Sequence, residues 1–78
     1  MNPADVKALI LTVLGEIAPE ADLDRLPGKA QLRDELDLDS IDFLNFITAL
    51  HERTRLDIPE AEYNRLATLD DAVAYLTR

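Results

Sequence analysis

Residues 36–53 read LDLDSIDFLNFITALHER, and this stretch decides how the chain folds. Aspartate is a preferred helix cap, so a helix is predicted to begin at Asp39 or Ser40 and to run to about Arg53. At about 100° per residue, the apolar side chains of this helix fall on two separate sides. One side predicts a core contact and the other predicts a functional surface.

The side expected to face the core holds two aromatic and two aliphatic residues, Phe43, Phe46, Ile47 and Leu50. The other side surrounds Ser40 with Ile41, Leu44 and Thr48. Apolar side chains left exposed beside a polar residue are typical of a docking surface for a partner. The alternative is that the preceding loop or the next helix covers Ile41 and Leu44.

Before this stretch, the sequence predicts one long helix and one long connection. Asn2 is a plausible N-cap and Pro3 suits the first helical position, while apolar residues recur at helical spacing until Pro19 ends the pattern. Residues 18–39 form a connection of about twenty residues, which is unusually long for a compact domain. Its scattered leucines indicate that it lies across the core, with a helical turn near residues 31–35.

After this stretch, Pro59 is suited to the first turn of a short third helix over roughly residues 60–66. Thr68 and Asp71 resemble a capping box at the start of a final helix. No segment shows sustained strand alternation. The predicted fold class is therefore all-α, a small four-helix bundle with three main helices and a short third one.

Length and composition predict a single soluble domain over residues 1–78. Seventy-eight residues bury only one modest core, and a hydrophobic fraction of 47% is enough to fill it. There is no cysteine, so neither a disulfide nor a thiolate metal site supports the fold. No basic segment followed by an apolar stretch marks export, and the apolar runs are too short to span a bilayer, so we expect a cytoplasmic protein without membrane insertion.

The charge is strongly acidic and unevenly distributed. Sixteen acidic against eight basic residues give a net charge of -8, and residues 34–62 hold nine of the acids but only two arginines, Arg53 and Arg55, a balance of -7. Such a charge repels nucleic acid and anionic membranes. Proteins with basic surfaces are the expected partners, and nothing in the sequence demands more than a monomer.

The sequence favours neither a serine–histidine catalytic pair nor a calcium site. The chain has one serine, Ser40, and one histidine, His51, and eleven residues along one helix separate them by roughly 16 Å, too far for a hydrogen bond. The acidic cluster around Ser40 lacks the glycine and the glutamate of a calcium-binding EF-hand loop. We therefore predict neither an enzyme nor a specific metal site.

The segment from Leu36 to Asp42 resembles the acyl carrier protein family, in which an Asp-Ser-Leu or Asp-Ser-Ile triplet opens the second helix of a four-helix bundle. The resemblance extends over nearly the whole chain, including residues 57–60 before the third helix and residues 68–73 at the start of the fourth. It implies that Ser40, beside Asp39, receives phosphopantetheine from coenzyme A through a separate phosphopantetheinyl transferase. The arm then holds acyl groups as thioesters.

The resemblance also implies partners: acyl-transferring or condensing enzymes of fatty acid, lipid or polyketide biosynthesis. These enzymes are expected to bind the second helix with basic patches of their own. The residues of this chain that they would contact are Ile41, Asp42, Leu44, Asn45 and Thr48. In this family the carried chain can fold back between the helices, which implies an opening near Phe46, Ile47 and Ile58.

Two residues depart from the family pattern. Asp37 stands where glycine is usual, and Asn45 stands where fatty-acid carriers have a glutamate used in partner recognition. These departures indicate a specialised carrier. Two alternatives stay open at this point: a peptidyl or aminoacyl carrier, and an unmodified acidic helical adapter for a basic protein.

Overall fold

A computed structural model describes residues 2–77 of the chain and confirms the all-helical prediction. Its α-helices are α1 (Pro3–Ile17), α2 (Leu32–Glu35), α3 (Ser40–Thr54) and α4 (Leu69–Thr77). Two 3₁₀ segments, Leu23–Arg25 and Glu60–Leu66, lie between them. Over residues 2–77 there is no strand, only an isolated antiparallel bridge between Gln31 and Thr68. The helix predicted as the second is α3, because the short turn α2 precedes it.

Helices α1 and α4 begin where their capping residues predict. Asp5 donates its backbone N–H to Oδ1 of Asn2 at 2.8 Å, which makes Asn2 the N-cap of α1. Asp71 donates its backbone N–H to Oγ1 of Thr68 at 3.1 Å, just before α4. Each bond satisfies an amide that has no partner within its helix. Local side-chain chemistry therefore sets where these helices begin.

The core lies where α1, α3 and α4 meet, and the leucines of the long connection help to close it. Its buried residues are Val6, Ile10, Val13, Leu14, Leu32, Leu38, Phe46, Ile47, Leu50, Ile58, Leu66, Leu69, Ala72, Tyr75 and Leu76. One core prediction needs correction: Phe43 is only half-buried and packs at the edge, with its ring centroid 5.9 Å from that of Phe46. Phe43 lies one turn from the solvent-exposed start of α3, where less of the bundle covers it.

The long connection is held against the start of α4 by backbone hydrogen bonds. Leu32 donates its N–H to the Ala67 carbonyl at 2.8 Å, and Asp70 donates its N–H to the Gly28 carbonyl at 3.0 Å. A Cβ on Gly28 would collide with the Asp70 carboxylate, so a larger residue at position 28 would require that side chain to move. These contacts fix α2 beside the second half of the chain, and α2 in turn supplies a side chain to the candidate site.

Candidate functional site

The start of α3 is closed by two aspartates that cap each other. Asp42 donates its backbone N–H to Oδ1 of Asp39 at 2.8 Å, and Asp39 donates its backbone N–H to Oδ2 of Asp42 at 3.3 Å. This reciprocal pair is a capping box, with Asp39 as the N-cap. Ser40 is the first residue of the helix, not its cap. Its hydroxyl is therefore not needed to begin α3.

The Ser40 hydroxyl is exposed and, among residues 2–77, has one side-chain hydrogen-bond partner. Arg33, on α2, donates from Nη2 to Oγ of Ser40 at 3.2 Å. The Arg33 guanidinium also lies over the Phe43 ring, with its Cζ 6.0 Å from the ring centroid. A cation placed over an aromatic face is held there by the ring quadrupole. The candidate site thus combines an accessible hydroxyl with a positioned positive charge.

A tight turn between α2 and α3 brings Arg33 to Ser40. Asp37 has φ of 53°, in the left-handed region that ends many helices, and Leu38 donates its N–H back to the Arg33 carbonyl at 2.9 Å. Glycine adopts this backbone without strain, and aspartate is one of the few other residues that tolerates it. The departure from the family's glycine at position 37 therefore leaves the turn intact.

A surface groove of about 580 Å³ opens beside Ser40. Its lining residues come from α2, α3 and the 3₁₀ segment Glu60–Leu66 with its flank: Gln31, Arg33, Ser40, Phe43, Leu44, Glu60, Tyr63, Asn64 and Ala67. Phe46, Ile47 and Ile58, near which the carried chain is expected to enter, are buried in the core and do not line this groove, so that opening stays a prediction.

The apolar side chains beside Ser40 are exposed, as the helical spacing predicts. Ile41 is 69% exposed and Leu44 is 48% exposed, so neither the loop nor the 3₁₀ segment covers them. Asn45 and Thr48 are also exposed on this helix, whereas Asp42 is half-buried by its part in the cap. The alternative that Ile41 and Leu44 are covered is wrong.

The acidic stretch forms an open charged surface. Of its nine carboxylates, only Asp42 and Glu62 are half-buried, and Glu62 pairs with Arg65 at 3.1 Å. Within residues 2–77, no group of three or more His, Cys, Asp or Glu side chains could hold a metal ion. In the same part of the chain, no helix is long and apolar enough to cross a membrane.

His51 lies far from Ser40, at the other end of the same helix. It sits in the last turn of α3, where its Nδ1 is 2.8 Å from the Leu56 carbonyl oxygen. A carbonyl only accepts, so Nδ1 carries the proton of this bond. Because α3 is continuous from Ser40 to Thr54, the two side chains cannot form a nucleophile and base pair.

Sequence reasoning missed Arg33 and the part of the groove that follows α3. Arg33 is the only lysine or arginine between residues 30 and 52 and stands directly before the acidic stretch, and this isolation was a usable signal. The contribution of Tyr63, Asn64 and Ala67 depends on how the chain returns to α2. No local pattern indicates it.

Comparison with known proteins shows the family to which this chain is similar. A family model described as a phosphopantetheine attachment site matches residues 4–76. The acyl carrier protein of Bdellovibrio bacteriovorus is 32% identical over 73 residues, which are 94% of this chain and 87% of that protein. The acyl carrier protein of Lactobacillus acidophilus is 35% identical over 57 residues, 73% of this chain and 71% of that protein.

A solved structure shows the same fold. The solution structure of a candidate acyl carrier protein from Anaplasma phagocytophilum matches with a TM-score of 0.86 and 29% sequence identity, and the match covers 97% of this chain and 89% of that chain. The chain also offers an exposed hydroxyl to which such a group could be bonded, that of Ser40 at the start of α3. The chain belongs to the acyl carrier protein family and is a carrier with covalently attached phosphopantetheine, not an enzyme.

Proposed function

We propose that residues 1–78 form a single carrier domain and that Oγ of Ser40 is the attachment point of the arm. The observation that carries this proposal is that the residues that cap α3 are not the residue that offers a hydroxyl. Asp39 and Asp42 cap the helix, so the only serine of the chain is left exposed with a hydroxyl that the cap does not use. The structural part that a serine most often has at a helix start is that of the cap, and here Asp39 has it.

The attachment reaction makes one bond to Ser40 and breaks one bond in coenzyme A. Ser40 Oγ attacks the phosphorus that bears the pantetheine and loses its proton to a base on the transferase. An Oγ–P bond forms, the P–O bond to the second phosphorus breaks, and adenosine 3′,5′-bisphosphate leaves. In this reaction Ser40 is a substrate, since its side-chain hydrogen-bond partner among residues 2–77 is Arg33, a donor, and His51 lies at the other end of α3.

The terminal thiol of the attached group holds the cargo as a thioester, and the exposed face of α3 is the proposed docking surface. Ile41 and Leu44 offer apolar contacts, with Asn45 and Thr48 beside them. The acidic side chains around them attract basic patches on the phosphopantetheinyl transferase and on acyl-transferring or condensing enzymes. Salt should slow these encounters because it screens the attraction.

The cargo we propose is an acyl group of a fatty acid, lipid or polyketide pathway, carried by a cytoplasmic monomer. The curated relatives above are named acyl carrier proteins, which favours acyl cargo over amino acids or peptides. Asn45 at the position of the recognition glutamate supports a dedicated set of partners. A neutral side chain there removes one charge that a basic partner would otherwise contact.

Intact-protein mass spectrometry tests the attachment point. Purified chain is incubated with coenzyme A, magnesium and a broad-specificity phosphopantetheinyl transferase. The wild type should gain the mass of one phosphopantetheine and Ser40→Ala should gain none. Thr12→Ala, which removes an exposed hydroxyl on α1, is the matched control and should load like the wild type.

Either of two results would contradict the proposal. The first is a folded Ser40→Ala variant that still gains the arm. The second is a folded wild type that gains nothing from several transferases, which would favour an unmodified adapter. Circular dichroism of each variant establishes that it is folded.

A further inference from the structure

We propose that Arg33 holds the phosphodiester that loading creates on Ser40, and so sets the direction in which the arm leaves the protein. The inference rests on the proposed attachment at Ser40. Arg33 is therefore a positioning residue: it would hold the phosphodiester, while the thiol at the far end of the arm carries the cargo.

The contact between the two side chains already exists before loading. Arg33 Nη2 lies 3.2 Å from Ser40 Oγ, the atom to which the phosphorus would be bonded. The phosphate oxygens would be one bond further on, within reach of the same guanidinium. A planar guanidinium with several N–H donors matches the geometry of a phosphate group better than any other side chain.

The Arg33 guanidinium is held in place by an aromatic ring and does not form an ion pair with a carboxylate among residues 2–77. Its position over the Phe43 ring, 6.0 Å from the centroid, limits the rotamers it can adopt. Among residues 2–77, ion pairs form at Arg25, Arg53 and Arg65, but no carboxylate lies within 4.0 Å of the Arg33 guanidinium. Its strongest partner in this structure is therefore the uncharged Ser40 hydroxyl.

The charge around Ser40 gives such a cation a stabilising effect. Loading places an anionic phosphodiester on the residue between Asp39 and Asp42, whose carboxylates are fixed nearby by the capping box. Those carboxylates also occupy the cap amides that could otherwise have received the phosphate. Like charges this close repel, and Arg33 is the cation that the fold places against the new group.

Holding the phosphodiester would also orient the arm. Arg33 and Ser40 line the same groove, which continues past Phe43 and Leu44 to Tyr63 and Ala67. An arm fixed at its phosphate on the Arg33 side would start along this groove, and without Arg33 it would rotate freely into solvent. The inferred function of Arg33 is thus to reduce the number of directions available to the arm.

The test compares unloaded and loaded protein labelled with ¹⁵N-arginine. Mass spectrometry first establishes that each sample carries one arm. In the wild type, the Arg33 Nε–H resonance should shift on loading and exchange more slowly with water, while the Arg25 resonance should stay in place. Arg25 pairs with Asp22 outside the groove, so it reports the general effect of added charge.

A variant set gives the second readout. Loading should lower the melting temperature of Arg33→Gln by about 2–5 °C more than that of the wild type, because the phosphodiester then faces Asp39 and Asp42 without a countercharge. Arg25→Gln removes the same charge elsewhere and should behave like the wild type. Arg33→Lys should recover part of the difference, and 1 M salt should remove most of it.

Several outcomes would overturn the inference. An Arg33 resonance unmoved by loading, or equal losses in Arg33→Gln and Arg25→Gln, would leave attachment at Ser40 intact and reject Arg33 alone. A wild type that takes no arm would reject both proposals, since there would be no phosphodiester to hold. If the transferase does not load Arg33→Gln, the melting comparison cannot be made. The shift of the Arg33 Nε–H resonance on loading of the wild type then decides whether the inference holds.

Discussion

The two sides of α3 differ in what their side chains contact. On one side Phe46, Ile47 and Leu50 are almost completely buried against the rest of the bundle. On the other side Ser40 and the apolar Ile41 and Leu44 face solvent. The first side determines stability, while the second contributes little to it and is free to serve a modifying enzyme and partners. One helix thus keeps folding and function on separate surfaces.

The largest expected effect comes from truncating the buried side. Phe46→Ala removes a fully buried ring and should lower the free energy of unfolding by about 3–5 kcal/mol, whereas Ile41→Ala on the exposed side should change it by less than about 0.5 kcal/mol. Urea denaturation followed by circular dichroism measures both. Phe46→Leu is a milder control that should lose less, about 1.5 kcal/mol. A stability loss at Ile41 comparable to that at Phe46 would break the distinction between the two sides.

A smaller effect separates two adjacent residues at the start of α3. Asp39→Ala removes the cap and should lower the free energy of unfolding by about 1 kcal/mol, while Ser40→Ala should leave it within about 0.5 kcal/mol. Asp39→Asn keeps an acceptor oxygen and should retain most of the stability. If Ser40→Ala lost as much as Asp39→Ala, the hydroxyl would have a structural part that the hydrogen bonds do not show.

The smallest effect concerns the turn that positions Arg33. Asp37 holds a left-handed backbone with φ of 53°, so Asp37→Gly should relieve strain and raise the free energy of unfolding by about 0.5 kcal/mol, while Asp37→Val should lower it by more than 1 kcal/mol. Thermal melts of the three proteins rank them. A valine variant as stable as the wild type would show that the turn is not conformationally demanding.

Much of the fold follows from local sequence. Asn2 with Pro3, Asp39 and Thr68 each mark the start of a helix, because an acceptor side chain satisfies amides that the helix leaves free. The two-sided pattern of α3 also follows from residue spacing alone, and both the burial of Phe46 and the exposure of Ile41 confirm it.

The contacts that complete the site could not be predicted in this way. Arg33 reaches Ser40 across a turn whose left-handed residue is an aspartate instead of the expected glycine, and α2 is held by a bond between Leu32 and Ala67, thirty-five residues away. Non-local contacts of this kind depend on the packing of the whole bundle. The groove beside Ser40 and the half-buried edge position of Phe43 have the same origin.

The central claim is that the exposed side of α3 carries one attachment point, Ser40. The most direct test is to purify the chain after expression with a phosphopantetheinyl transferase, digest it and locate the added mass by fragmentation. We predict a single phosphopantetheine, confined to the peptide that contains Ser40 and bonded to that residue. An arm on any other residue, or a folded protein that carries none, would contradict the account.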